Sequence, residues 1–123
     1  MTVNPRLETE EDVQIVKDHT LLPILLDMLA RDIDELALHQ GKIVYYHAIA
    51  YLKEVETSIH EELYRLKGRM RKQNIQILHT ETNALGIDVE YKVRGYIHHF
   101  NMLRSLIKAE LMNMLMNVRR RAE

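Results

Sequence analysis

The feature that most constrains the fold is a long apolar stripe in the first half of the chain. Its members recur every three or four residues, which is the spacing of one face of an α-helix: Tyr45, Ala48, Leu52, Val55, Ile59, Leu63, Leu66 and Met70. Charged side chains such as Lys53 and Glu61 fall off the stripe. The stripe therefore predicts an amphipathic central helix of about 28 residues, roughly 42 Å long.

Two shorter helices are predicted before the central one. A capping-box pattern that begins at Thr9 places the first helix from Glu10 to about His19. Thr20 can cap a second helix, and Pro23 suits its first turn because a proline there leaves no helix hydrogen bond unmade. The second helix is expected from Leu21 to about His39.

After residue 72 the apolar spacing changes to every second residue, which is typical of a β-strand. Alternating apolar residues occur at Ile87, Val89, Tyr91 and Val93. We predict a β-hairpin in which Asn74–Thr80 pairs with Ile87–Arg94, with the turn in Asn83–Gly86. A helix remains the alternative for the first of these segments, since Ile75, Leu78, Thr82 and Leu85 also lie three or four residues apart.

Helical spacing returns from Tyr96 to Arg121, where two apolar stripes lie side by side. The first contains Tyr96, Phe100, Leu103, Ile107, Leu111, Met114 and Val118, and the second contains Met102, Ser105, Ala109, Met112 and Met116. A domain of this size has too few helices to cover both stripes. We therefore predict that an oligomer interface is formed by Met102, Ala109, Met112 and Met116. The far end of the central helix is expected to add to this interface.

Together these elements predict a mainly α fold in a single domain over residues 1–123, with residues 1–8 loosely ordered. The domain would contain a long central helix, a β-hairpin near residues 74–94 and a long C-terminal helix. The composition supports a folded core, because 46% of the residues are hydrophobic and 28% are charged.

Composition also excludes several functional classes. The chain contains no cysteine, so it has no disulfide, no thiolate nucleophile and no zinc-thiolate cluster. The most apolar stretch, Leu21–Leu38, is interrupted by charges, so we expect no membrane span, and the absence of cysteine suits a cytoplasmic location. Charge is unevenly distributed: residues 1–40 carry nine acidic and three basic residues, whereas residues 41–123 carry nine acidic and fourteen basic ones. Regions of opposite charge can attract each other within one chain or between copies.

Histidine and carboxylate pairs raise the question of a metal site. Glu35 with His39, and Glu56 with His60, lie one helical turn apart, so each pair can face the same way. The Glu-x-x-His spacing and the additional glutamates of di-iron bundles are not present. Solvated helical pairs explain these residues more simply, and we predict no metal and no other cofactor.

No catalytic set has a suitable local context. Ser58 and Ser105 lie inside predicted helices rather than at a strand-to-helix turn, and four glycines do not form a phosphate-binding loop. The histidine pair His98 and His99 cannot easily bind one ion, since adjacent helical residues point about 100° apart. We therefore predict that the protein is not an enzyme.

A basic segment near the end of the central helix suggests nucleic acid as an alternative partner. It contains Arg65, Lys67, Arg69, Arg71 and Lys72. Such a cluster can bind phosphates, and three helices, a hairpin and a closing helix is the element order of a winged helix-turn-helix. Bases at a helix C-terminus also offset the helix dipole, however, and the start of the central helix is apolar rather than basic.

The segment Tyr91–Phe100, with Tyr91, Arg94, Gly95, Tyr96 and His98 at its characteristic positions, is followed by Met102–Leu103 and Ile107–Glu110. This pattern resembles a motif of short uncharacterised proteins from Bacillus-type spore-formers and their phages. The resemblance covers the last 50 residues and implies no activity. In physical terms, Gly95 would turn the chain from strand to helix, Arg94 would hold a carboxylate or a helix end, and Tyr96 would anchor the last helix.

The biological role is not evident from the sequence. The interpretation it favours is a non-enzymatic interaction or regulatory protein that acts as a homo-oligomer or binds a protein partner. A nucleic-acid-binding regulator is the alternative, and a metal-binding helical bundle is a more distant one.

Overall fold

A computed structural model describes residues 7–39 and 41–122, with side chains to residue 118. The elements follow the order α1 (Glu10–Ala37), α2 (Ile43–Gln73), β1 (Ile75–Thr82), β2 (Gly86–Val93), β3 (Tyr96–Leu103) and α3 (Arg104–Ala122). Helices α1 and α2 form a long antiparallel hairpin. One end of that hairpin packs against the sheet and α3, and the other end projects beyond them.

The fold class is α+β, so the prediction of a mainly α helical bundle is wrong. The three strands form one antiparallel sheet in the order β1-β2-β3. The predicted hairpin of β1 and β2 is confirmed, and its helical alternative is excluded. The third strand was missed: Tyr96–Leu103 pairs with β2 along its whole length, and α3 begins only at Arg104.

The third strand was missed because its sequence fits two periods. Tyr96, Phe100 and Leu103 satisfy helical spacing, but Tyr96, His98, Phe100 and Met102 also alternate. The turn before this segment determines that it forms a strand and not a helix. Arg94 and Gly95 both adopt positive φ, at 49° and 91°, which is the backbone of a tight two-residue β-hairpin turn. Gly95 therefore turns the chain from strand to strand, not from strand to helix, and Tyr96 lies half-exposed on β3.

The first two predicted helices are one. Thr20 caps nothing, since its hydroxyl donates to the carbonyl of Val16 one turn earlier, and Pro23 lies inside α1. Burial of Leu21, Leu22 and Leu25 in the core outweighs the hydrogen bond that the proline removes. Only two helices therefore precede the sheet, so the element order is not that of a winged helix-turn-helix. The predicted capping box of Thr9 and Asp12 is present at the start of α1.

One hydrophobic core joins the helices to the inner face of the sheet. The central strand β2 contributes Ile87, Val89, Tyr91 and Val93 to this core, and all four side chains are buried. The predicted stripe of α2 is confirmed by the burial of Val55, Ile59, Leu66 and Met70. The outer face of the sheet carries polar groups, among which Asp88 accepts hydrogen bonds from Asn83 and Asn101.

Two glycines provide a direct test of this fold. A Cβ at Gly86 would lie 1.9 Å from the carbonyl oxygen of Met102, and the φ of +156° disfavours side chains. A Cβ on Gly68, inside α2, would contact nothing within 4 Å. We expect Gly86→Ala to lower the free energy of unfolding by more than about 3 kcal/mol, because backbone must move.

The matched control is Gly68→Ala, which should raise the free energy of unfolding by about 0.5–1 kcal/mol through helix propensity. Urea unfolding followed by circular dichroism measures both. Equal effects of the two substitutions would contradict the pairing of β2 with β3.

Candidate functional site

The side chain of Arg94 connects three parts of the fold by hydrogen bonds. Its guanidinium donates to Asp12 Oδ2 at 2.8 Å, to the carbonyl of Leu7 at 3.2 Å and to the carbonyl of Gln73 at 3.4 Å. The start of α1, the end of α2 and the β2–β3 turn therefore meet at this side chain. The expectation that Arg94 holds a carboxylate or a helix end is confirmed.

Asp12 is the buried partner of this contact, with 1% of its surface exposed. Burial alone would raise the pKa of Asp12. The hydrogen bonds from Arg94 and from the backbone and side chain of Thr9 outweigh that effect and hold the pKa below its usual value. Asp12 is therefore an ionised structural group, and its acceptor capacity is used within the chain.

Glu8 and the aromatic pair of Tyr91 and His98 continue the polar cluster. The Tyr91 hydroxyl donates to Glu8. The Tyr91 and His98 rings stack with centroids 5.7 Å apart. Burial and the Glu8 carboxylate raise the pKa of Tyr91, so its hydroxyl stays protonated and acts as a donor. This arrangement holds residues 7 and 8 against the sheet, whereas the rest of the segment predicted to be loosely ordered lies outside the described residues.

The two candidate pairs of metal ligands, Glu35 with His39 and Glu56 with His60, do not come together in one site. Glu35, His39 and His60 are exposed, Glu56 is half-buried, and His39 packs edge-on against Tyr45 at 5.4 Å. Over residues 7–39 and 41–122, no group of three or more histidine, aspartate or glutamate side chains is arranged to hold a metal ion. The distant alternative of a metal-binding bundle gains no support from this geometry.

The basic segment of α2 divides between two sides of the helix. Arg65, Arg69 and Lys72 follow one side, where Arg69 pairs with Glu11 at 3.3 Å and Arg65 pairs with Glu62 at 2.9 Å. The other two, Lys67 and Arg71, line a shallow depression beside β1 that also contains His19. Burial lowers the pKa of His19, and the charge of Lys67 lowers it further. The five bases thus do not form one continuous phosphate-binding surface.

A groove of about 560 Å³ lies between the three helices. Its carboxylates are Asp18, Glu62 and Glu110, and Lys17 lies 3.7 Å from Glu110. Burial raises the pKa of Asp18, and the nearby charges of Glu62 and Glu110 raise it further, although a hydrogen bond from Gln14 opposes them. These acids have partners within the chain, so the groove is not an evident ligand site.

The outer face of α3 is apolar and uncovered. Leu111 and Val118 are buried on its inner side, whereas Met112 and Met116, which belong to the second predicted stripe, are 57% and 46% exposed. Met116 also lines the edge of the groove between the three helices. Ala109 is exposed on the same side. Met102 does not belong to this surface, because it is buried in the core from β3. We call Ala109, Met112 and Met116 the α3 face.

A second uncovered surface lies where the helical hairpin projects beyond α3. Leu38, Ile43, Val44 and Tyr46 at its tip are 62–84% exposed. Beside the tip, a groove of about 430 Å³ between α1 and α2 is lined by Asp32, Glu35, Leu36, His39, Tyr45 and Leu52. We call this the distal groove. Its floor contains apolar and aromatic side chains, and among the described residues its lining includes two carboxylates but no lysine or arginine.

These features define a small α+β protein in which a helical hairpin, packed at one end on a three-stranded sheet, presents exposed apolar surfaces. The model of the family described as YhjD protein matches residues 7–122, so the chain belongs to the YhjD family. This match extends well beyond the C-terminal 50 residues on which the motif resemblance depends. No curated protein and no solved structure matches the chain significantly. No helix within the described residues is long and apolar enough to cross a membrane.

Sequence reasoning identified the α3 face but missed the distal groove. The groove depends on where α3 stops covering the hairpin, and helical periodicity does not reveal that. One signal was available: the apolar residues Leu38, Ile43 and Val44 lie at a turn between helices, where polar residues are usual.

The Arg94–Asp12 contact predicts a pH dependence of stability. Because folding lowers the pKa of Asp12 from its usual 3.8, its stabilisation is present above about pH 4 and is lost as pH falls through the lower folded value. We expect Asp12→Asn to reduce the pH dependence of urea unfolding below pH 4. Arg94→Met leaves the Asp12 charge buried and should cost about 3 kcal/mol at pH 7.

Arg65→Met, which removes an exposed arginine from the 2.9 Å contact with Glu62, is the control and should cost under about 1 kcal/mol. Equal losses for Arg94→Met and Arg65→Met would show that the Arg94 contact does not hold the fold together.

Proposed function

We propose that the protein acts by binding other protein chains, not by catalysis, and that it works as a homo-oligomer. The α3 face is the contact surface of this proposal. The expected location is the cytoplasm, and the expected source is a Bacillus-type spore-former or one of its phages.

The observation that carries this proposal is the exposure of Met112 and Met116 on a helix whose opposite side is already packed in the core. Complete burial of a fully exposed methionine contributes about 1.5–3 kcal/mol, so Met112 and Met116, which are about half exposed, would each contribute roughly half of that in each copy. Methionine also adapts its shape to a partner surface. Contiguous apolar surface of this kind is typical of interaction sites.

Nucleic acid is the alternative partner, and the charges favour it less. Arg69 and Arg65 already pair with Glu11 and Glu62. Each such pair competes with a phosphate, and the acidic residues of α1 repel the DNA backbone.

Sedimentation tests the proposal of self-association. We expect the wild-type chain at tens of micromolar to sediment as a dimer or larger species rather than as a 14.6 kDa monomer. Met112→Glu with Met116→Glu should shift it toward monomer, because a buried unpaired carboxylate opposes association.

Ile97→Glu is the matched control, since Ile97 on β3 is exposed to the same 57% as Met112 but lies outside the α3 face. It should leave the assembly unchanged. A wild-type protein that stays a compact monomer under these conditions would overturn the proposal.

A DNA titration separates the two candidate functions. We expect no sub-micromolar binding to duplex DNA at about 50 mM salt. If binding does occur through all five bases, the log-log salt slope should be about −4.5, and replacing Arg69 and Arg71 should flatten it by about two. Fluorescence anisotropy measures the affinity, and tight binding with that response would favour the nucleic-acid alternative.

A further inference from the structure

We propose that the α3 face of one copy docks into the distal groove of a second copy. This inference rests on the proposed homo-oligomer and identifies the surface that receives α3. It depends on two uncovered surfaces of one chain that match each other in apolar character and have opposite charges.

The distal groove supplies an apolar floor with acidic lining. Leu36 and Leu52 are half-buried there, Tyr45 lies between the two helices, and Asp32 and Glu35 are exposed on α1. Two bases lie near these acids: Arg31 is one helical turn before Glu35 on α1, and Lys42 at the tip has its ammonium 5.0 Å from the centre of the Tyr45 ring. Neither base is among the residues that line the groove. An apolar helix with basic neighbours is the chemical complement of such a groove.

Helix α3 combines an exposed apolar face with basic neighbours. Exposed Arg104 and Lys108 lie one turn apart on α3, and Lys108 is one turn before Met112. The acidic residue of the same helix, Glu110, faces away toward Lys17 in the groove between the three helices. The exposed side of α3 up to residue 118 therefore combines methionines with positive charge.

The two surfaces of a single chain cannot meet. Helix α3 is fixed beside Lys17 of α1, and its inner residues Leu111 and Val118 are part of the core. Met116, the last residue of the α3 face, lines the same groove as Leu22 of α1. Asp32 lies ten residues farther along α1, which is about 15 Å at 1.5 Å per residue. Ala109 and Met112 are exposed on the side of α3 opposite its buried residues, and Met116 lies at the edge of the groove between the three helices. The occupant of the distal groove in this proposal therefore comes from another copy.

In a dimer with two-fold symmetry, both contacts between the two copies form at once. The α3 face of each copy then occupies the distal groove of the other, which closes the assembly as a dimer with two equal contacts. The exposed residues at the hairpin tip would lie at the edge of each contact.

Charge reversal tests this pairing by sedimentation equilibrium on the full chain. Asp32→Lys with Glu35→Lys, or Arg104→Glu with Lys108→Glu, should each weaken dimerisation at least about tenfold, because both equal contacts gain like charges. All four changes in one chain recreate opposite charges and should restore the dissociation constant to within about threefold of wild type.

The matched control is Asp27→Lys with Asp34→Lys. It makes the same change in net charge on the same helix, but neither residue lines the groove, so dimerisation should not weaken. Circular dichroism of every variant checks that the fold is intact. Since the chain has no cysteine, mixing His39→Cys with Met116→Cys should also give a thiol cross-link that neither variant forms alone.

The outcomes separate this inference from the proposed function. Weakening by each pair, restoration by the fourfold change and an unchanged control would support the pairing. If wild type assembles and Met112→Glu disrupts it, but the groove charges have no effect, the inference fails and the proposed function stands. A wild-type monomer would overturn both.

Discussion

The structure depends on the contact between Arg94 and the start of α1. The backbone N–H of Arg94 donates to the carbonyl of Asn74 at 2.9 Å, while its side chain binds Asp12 and two further carbonyls. One residue thus fixes the β2–β3 turn relative to both long helices. Arg94 also holds a positive φ, which is unfavourable for a residue with a side chain, and these hydrogen bonds offset that strain. The conformation of the β2–β3 turn and the packing of α1 and α2 against it therefore stabilise each other at Arg94.

Fixing the base of the hairpin has a consequence at its other end. The 31-residue α2 is much longer than the 19-residue α3, and the sheet covers only the base. Among the described residues, the outer halves of α1 and α2 consequently pack against each other and not against the sheet. Their facing residues Leu36, Tyr45 and Leu52 stay partly exposed beyond Ile33 and Val55, the last buried residues of the two helices toward the tip. An unfilled groove follows from the difference in helix length.

The sequence predicted most of these elements but not their arrangement. The stripe from Tyr45 to Met70 was sufficient to predict α2, since eight apolar residues at helical spacing have few alternatives. The hairpin of β1 and β2 followed from strict alternation and the Asn83 turn, whose side chain accepts from the N–H groups of Leu85 and Gly86. The predicted break near Pro23 is wrong, because the burial of Leu21, Leu22 and Leu25 keeps α1 continuous although local propensity favours a helix end there.

The candidate surfaces were likewise predicted in part, because the sequence indicates which residues share a face but not how the elements are arranged. The α3 face was visible as a second stripe, but Met102 was assigned to it because the strand Tyr96–Leu103 also satisfies helical spacing. The acidic excess of residues 1–40 was visible as well, yet its division between the base and the tip of α1 was not. Glu11 at the base pairs with Arg69, whereas Asp32 and Glu35 lie in the distal groove. Glu11 is paired within the fold and is therefore less available to another molecule. Asp32 and Glu35 lie at an apolar groove, where their negative charge can favour a basic partner.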